Sequence, residues 1–328
     1  MEASGEIELA VRLGAALWRF WQQRGHIDEA MPRMDRLLGL AHSATTELPP
    51  DLMSRAEEAA GGMEYWRRLD VQSVERHYTR ALDLARRADD PALVAWALYN
   101  LAYVYDYLPA GTNVRADVVR ADALRNDALR RFREIGDRRG EAYSLWGLGG
   151  SPLSMTKAPE ECLEQLHEAL ALCRQIGDVF GETWALMSTS MLEAVRGRFD
   201  EARTSMAAAA NLFVRDGDVA GVIVSLDSVS ALAARGGDPR LAVRLHAATL
   251  AIAAATGARV PPIPILQEPV ELARASLTAE EVEHEEAVGR TLSVAEALAL
   301  ILDGMEAARR AMSDFERSAE DSRQAPDQ

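Results

Sequence analysis

Apolar and small residues recur along most of this chain at steps of three and four, the period of one helix face, and the stretches that carry them end at regular intervals. Ile135-Gly136-Asp137, Ile176-Gly177-Asp178, Asp216-Gly217-Asp218 and Thr256-Gly257 are spaced 41, 40 and 40 residues apart. A glycine there closes a helix in the left-handed conformation, and the following Asp supports the turn into the next one. A second glycine, at Gly140, Gly181 and Gly221, opens an apolar helix A. After a turn carrying Gly197 or Gly237, helix B begins near Asp200 or Pro239 and returns antiparallel. The repeating unit is a helical hairpin, and the pattern places six of them at about 7–42, 51–88, 91–135, 140–176, 181–215 and 221–256.

Small residues fix how these hairpins stack. They recur at one helix B position (Ala30, Ala121, Cys162, Ala202, Ala242) and again at a position seven residues further along (Ala81, Ala128, Ala169, Ala209), permitting close helix approach. With Gly25, Gly197 and Gly237 at the hairpin turns and Trp21, Tyr65 and Tyr105 late in helix A, the spacing resembles the tetratricopeptide consensus with lengthened helices. The fold expected is therefore all-α, a tetratricopeptide-like solenoid in which antiparallel helix pairs wind into a right-handed superhelix. Residues 1–260 would hold the six pairs and 261–312 capping helices. Thr278-x-x-Glu281 and Ser293-x-x-Glu296 each match a capping box, while the polar segment 313–328 is too poor in apolar residues to pack.

Ala16-Leu-Trp-Arg-Phe-Trp-Gln-Gln-Arg-Gly-His, the repeated Ile-Gly-Asp-x-x-Gly and Gly289-Arg-Thr-Leu-Ser-Val-Ala-Glu-Ala-Leu-Ala are similar to a bacterial group. They resemble the C-terminal tetratricopeptide region of large signal-transduction ATPases and LuxR-type transcriptional regulators. That resemblance implies a sensor or interaction module. The ATPase and DNA-binding activities of those proteins do not transfer, because this sequence has neither a Gly-x-x-x-x-Gly-Lys-Ser/Thr loop nor a helix-turn-helix module. The first repeat helix starts almost at Met1, as expected of an excised piece or a stand-alone descendant.

Composition narrows the class further. Of the 328 residues 48% are hydrophobic but only 6% aromatic, which suits helices packed through small side chains. A net charge of −15 without a basic stripe disfavours direct nucleic-acid binding. No apolar run approaches the ~20 residues that span a bilayer, and no signal-peptide pattern opens the chain, so a cytoplasmic protein is expected. Cys162 and Cys173 fall on one helix about 16 Å apart, too far for a disulfide, and read as small buried side chains. The six dispersed histidines form no metal motif, and no cofactor is implied.

Two irregularities break the period: about eight extra residues around Tyr107–Ala116, suited to a lid, and Gly147-Leu-Gly-Gly-Ser-Pro-Leu-Ser, which should end its helix A early. The consensus places one face of each helix A on an inner, concave wall. That wall gathers Met63 and Trp66, then Trp96, Tyr99 and Tyr103, then Tyr143 and Trp146, then Trp184, Met187 and Met191, with Asp106 and Asp227 as isolated acids and Arg12 and Arg19 at the N-terminal end. Trp96, Tyr143 and Trp184 occupy equivalent positions, which suggests a repeated packing role, whereas Tyr99, Tyr103, Trp146 and Met187 do not repeat chemically. The leading expectation is a binding or sensing groove for a protein segment or apolar small molecule. The alternative is a solenoid turned enzyme, for example a cyclase, with Asp106 or Glu193 as its acid or base. A homo-oligomer is compatible with either.

Overall fold

The computed structural model describes residues 2–43, 47–67, 70–106, 114–150, 158–259 and 264–301, and among these there is no β-strand. The hairpins run as α1 (Glu2–Gln23) with α2 (Ile27–Ser43), α3 (Pro50–Arg67) with α4 (Val71–Arg87), α5 (Pro91–Asp106) with α6 (Val114–Ile135) and α7 (Arg138–Gly150) with α8 (Pro159–Ile176). They continue as α9 (Val179–Val195), α10 (Phe199–Asp216), α11 (Val219–Arg235), α12 (Pro239–Thr256), α13 (Pro264–Ala275) and α14 (Ala279–Thr291). The chain is an all-α, tetratricopeptide-like helical repeat. It divides into two compact units, one of residues 1–185 with 257–262 and the other of residues 186–256 with 263–328.

The recurring Gly-Asp has a division of labour. Gly177 (φ 70°) and Gly217 (φ 64°) take the left-handed conformation that ends α8 and α10. The aspartate after each is the N-cap of the next helix: Asp137, Asp178 and Asp218 each accept the amide of the residue three further on, at 2.9 Å. Asp90 caps α5 in the same way through Leu93.

That third residue is Gly140, Gly181 or Gly221, and its lack of a side chain is a packing requirement. A Cβ on Gly140 would lie 2.2 Å from the Phe132 ring, one on Gly221 2.0 Å from the Phe213 ring, and one on Gly181 2.6 Å from Cys173 Sγ. A buried side chain near the end of α6, α8 and α10 thus seats against the first turn of the next helix A. The small helix B residues Ala30, Ala81, Ala121, Ala128, Cys162, Ala169, Ala202, Ala209 and Ala242 are all buried where helices approach.

In the first unit α1 packs on both α2 and α3, and the contact pattern repeats from α3 through α8. In the second, α13 packs on α11 and α12, and α14 lies along α12, held by Arg244 to Glu285 (2.6 Å). The Thr278–Glu281 capping box forms at the start of α14. Ser293 and Glu296 form the same reciprocal bonds before the helical residues 294–301. Helix α7 is described as far as Gly150; of the expected insertion at 107–116, residues 114–116 belong to α6, while 107–113, 151–157 and the polar tail lie outside the described residues.

Candidate functional site

In the first unit the inner faces of α3, α5, α7 and α9 meet through aromatic rings. Trp66 touches Tyr65, Tyr65 touches Tyr103, Tyr103 touches Tyr99, Tyr99 touches Tyr143, Tyr143 touches Trp146, Trp146 touches Trp184, and Trp184 returns to Trp66, with centroids 5.3 to 6.1 Å apart. This is a closed circuit of seven rings, each contact worth about 0.5–1.5 kcal/mol beyond the area it buries. The contact between Trp66 and Trp184 joins helices three repeats apart.

Burial divides the members. Tyr99, Tyr143 and Trp184 are buried, as is Met63 beneath them, whereas Trp66, Trp96, Tyr103 and Trp146 keep part of their rings open. Two of the equivalent positions tie successive repeats together: Trp96 Nε1 donates to Asp137 Oδ2 (3.2 Å), and the Tyr143 hydroxyl donates to Asp178 (3.2 Å). Each therefore holds the aspartate that caps the following helix A. The Tyr99 and Tyr103 hydroxyls are 2.6 Å apart, and burial, reinforced by Tyr103, pushes the Tyr99 phenol well above its ordinary range. The guanidinium of Arg125, fully buried on α6, lies 5.2 Å from the centre of the Tyr103 ring.

A polar group sits beside this aromatic wall. The Arg19 guanidinium of α1 lies over Trp18 (3.8 Å) and Phe180 of α9 (5.1 Å). Glu58 on α3 is half-buried, and burial raises its carboxyl above the usual range against the opposing pull of Arg19, Asn100, Arg55 and Arg139. Asn100 on α5 is buried and directs its side chain at Glu58, lowering the carboxyl pKa as a hydrogen-bond donor does. Arg139 is committed elsewhere, to Asp178 (2.7 Å) and the Tyr143 hydroxyl (3.2 Å).

Of the remaining sequence candidates, Met187, Met191, Glu193 and Asp227 belong to the second unit, and Asp106 and Arg12 to the first. Met187 is buried and Met191 half-buried on α9. Asp227 on α11 faces His246 Nδ1 at 3.3 Å, and that contact raises the histidine pKa against the effect of burial. Glu193 is buried and ion-paired with Arg198. Asp106 ends α5, its side chain outside the described residues, and Arg12 is exposed and paired with Glu8 (2.9 Å).

Sequence reasoning missed Glu58, Asn100 and Arg125. Glu58, Gly62 and Trp66 are spaced four apart and so share a face, which was the available signal. Among the described residues no His, Cys, Asp and Glu group could hold a metal, and no helix is long and apolar enough to cross a membrane.

No family model matches the chain, and no curated protein matches it. Among solved structures it is similar to a Rap protein complexed with Competence and Sporulation Factor, at 16% identity and a TM-score of 0.51, over 95% of this chain and 99% of that one. It also matches BtubC (BKLC) from P. vanneervenii at 16% identity and a TM-score of 0.46, over 64% of this chain and 82% of that one. At such identity the likeness speaks to the helical-repeat fold.

Proposed function

We propose that the chain is a binding module of a cytoplasmic bacterial regulatory system, and that the inner face of its first unit takes a segment of another protein. The observation that carries this reading is the ring circuit: four helices bring aromatic side chains to one place, and Trp66, Tyr103 and Trp146 remain partly open there. Rigid aromatic rings beside a few polar groups supply contact area at low entropic cost, the chemistry of a segment-binding groove. Two further points support it. The Rap protein of similar fold holds Competence and Sporulation Factor. The repeat motifs also resemble the sensor region of signal-transduction ATPases and LuxR-type regulators. Of the two acids an enzymatic reading would use, Glu193 is committed to Arg198.

The test is to pan a phage-displayed random dodecapeptide library on the immobilised full chain and measure the recovered peptides by fluorescence anisotropy. Tyr103→Ala and Trp146→Ala should each weaken binding by ~1–3 kcal/mol with the helical spectrum intact, the range for truncating an aromatic anchor. Recovery of no peptide, or of peptides indifferent to both changes, would refute the proposal.

A further inference from the structure

Arg19 is unusual among the arginines of the first unit. Its guanidinium lies on two aromatic faces, 3.8 Å from Trp18 and 5.1 Å from Phe180, and among the described residues it makes no ion pair and no hydrogen bond. A guanidinium that lies on ring faces keeps its edge, with five N–H donors, for hydrogen bonds. A half-buried arginine in that state has given up part of its hydration without closing a hydrogen bond.

Its surroundings repeat the pattern. The buried Asn100 side chain is a second donor beside Glu58. Arg55 is a second arginine that acts on Glu58 and has no ion pair. Glu58 is the carboxylate on which all three act, Asn100 through a side-chain hydrogen bond and Arg19 and Arg55 through their charge without an ion pair. The chain carries a net charge of −15, yet here two guanidiniums without an ion pair, half-buried Arg19 and exposed Arg55, act on one carboxyl group. A local excess of positive charge against an acidic whole selects an acidic partner both in approach and in docking.

We infer that Arg19 is the anchor for an acidic side chain of the bound segment, its edge donors receiving one Asp or Glu carboxylate while Trp18 and Phe180 hold the guanidinium in plane. The occupant is thereby narrowed to an acidic protein segment that also carries an apolar or aromatic residue for Trp66 and Trp146. Bidentate donation from a preoriented fork is the geometry in which arginine outperforms lysine, so specificity at this point is for a planar carboxylate. Glu58 then faces the segment's own N–H donors.

This inference rests on the segment-binding reading, and the test separates the two. The probe is the tightest fluorescein-labelled dodecapeptide from the library selection, together with copies in which each Asp or Glu is replaced by Asn or Gln. On the wild-type chain one such replacement should weaken binding at least tenfold. On Arg19→Gln the acidic and amide peptides should bind alike, and Glu58→Gln should retain the preference for acid. A selection without acidic residues, an absent preference, or a preference that survives Arg19→Gln overturns the anchor while leaving segment binding intact. If no peptide is recovered, both readings fail. Should Arg19→Gln lose its helical spectrum, Arg19→Lys decides: charge without the fork should reduce the acid preference several-fold, and an unchanged preference overturns the inference.

Discussion

Gly221→Ala should destabilise the second unit even though alanine is the better helix former. Gly221 is the third residue of α11, and a methyl group there would lie 2.0 Å and 2.1 Å from two carbons of the Phe213 ring, far inside van der Waals contact. Phe213 is 1% exposed and packed on every side, so it has nowhere to swing. Overpacking typically costs ~1–3 kcal/mol, and a contact this short belongs at the upper end. Helix propensity returns about 1 kcal/mol, leaving a net loss of ~2 kcal/mol. Phe213→Ala alone should cost ~3–5 kcal/mol through lost burial and the cavity it leaves. In that background the clash is gone, so Gly221→Ala should change sign and stabilise by about 1 kcal/mol, a coupling of ~3 kcal/mol between the two sites. Urea unfolding followed by ellipticity at 222 nm on the four proteins measures this cycle. An unshifted midpoint for Gly221→Ala, or additive effects in the double variant, would refute the account of why glycine stands there.

Two predictions concern titrating groups. The Glu281 carboxyl is held down to about 2 by the Thr278 amide and hydroxyl, with help from Arg240, so its contribution to stability is present above the ordinary value of 4.5 and is lost as pH falls through about 2. Thr278→Ala should move its midpoint upward in a ¹³C NMR titration, and an unmoved midpoint would show that the capping box does not set it. Burial pushes the Cys173 thiol up to about 12, with Asp178 and Glu182 adding to the effect. The native chain should therefore leave this thiol unreacted with a disulfide reagent at pH 8 and release it only in denaturant; prompt native reaction would contradict the packing against Gly181.

The helices and their ends were legible because local chemistry writes them. A left-handed glycine, an aspartate cap and a small residue at the helix crossing each act within a few residues, so Gly177-Asp178 announces its turn without reference to the rest of the molecule. The second glycine was visible too, but its reason was not. The constant eight-residue separation of Phe132 from Gly140, Cys173 from Gly181 and Phe213 from Gly221 was the clue to the packing that requires it. The inner face was legible only as a list of rings. Which of them meet depends on how repeats coil over distance, and the pairing of Trp66 with Trp184 is a property of that coiling, not of either local sequence. Glu58 was harder still, because α3 begins at Pro50 without the Gly-Asp that marks the later repeats, and only its four-residue spacing from Gly62 and Trp66 pointed to it.

The double engagement of Asp137 and Asp178 bears on how the chain is made. One oxygen of Asp137 caps its own helix, while the other is held by Trp96 from the repeat before it; Asp178 is held likewise by Tyr143. The first turns of α7 and α9 are thus finished by side chains that leave the ribosome 41 and 35 residues earlier. Both repeats meet a template already in place, and synthesis from the N-terminus runs in the one direction in which these two caps find their holders waiting.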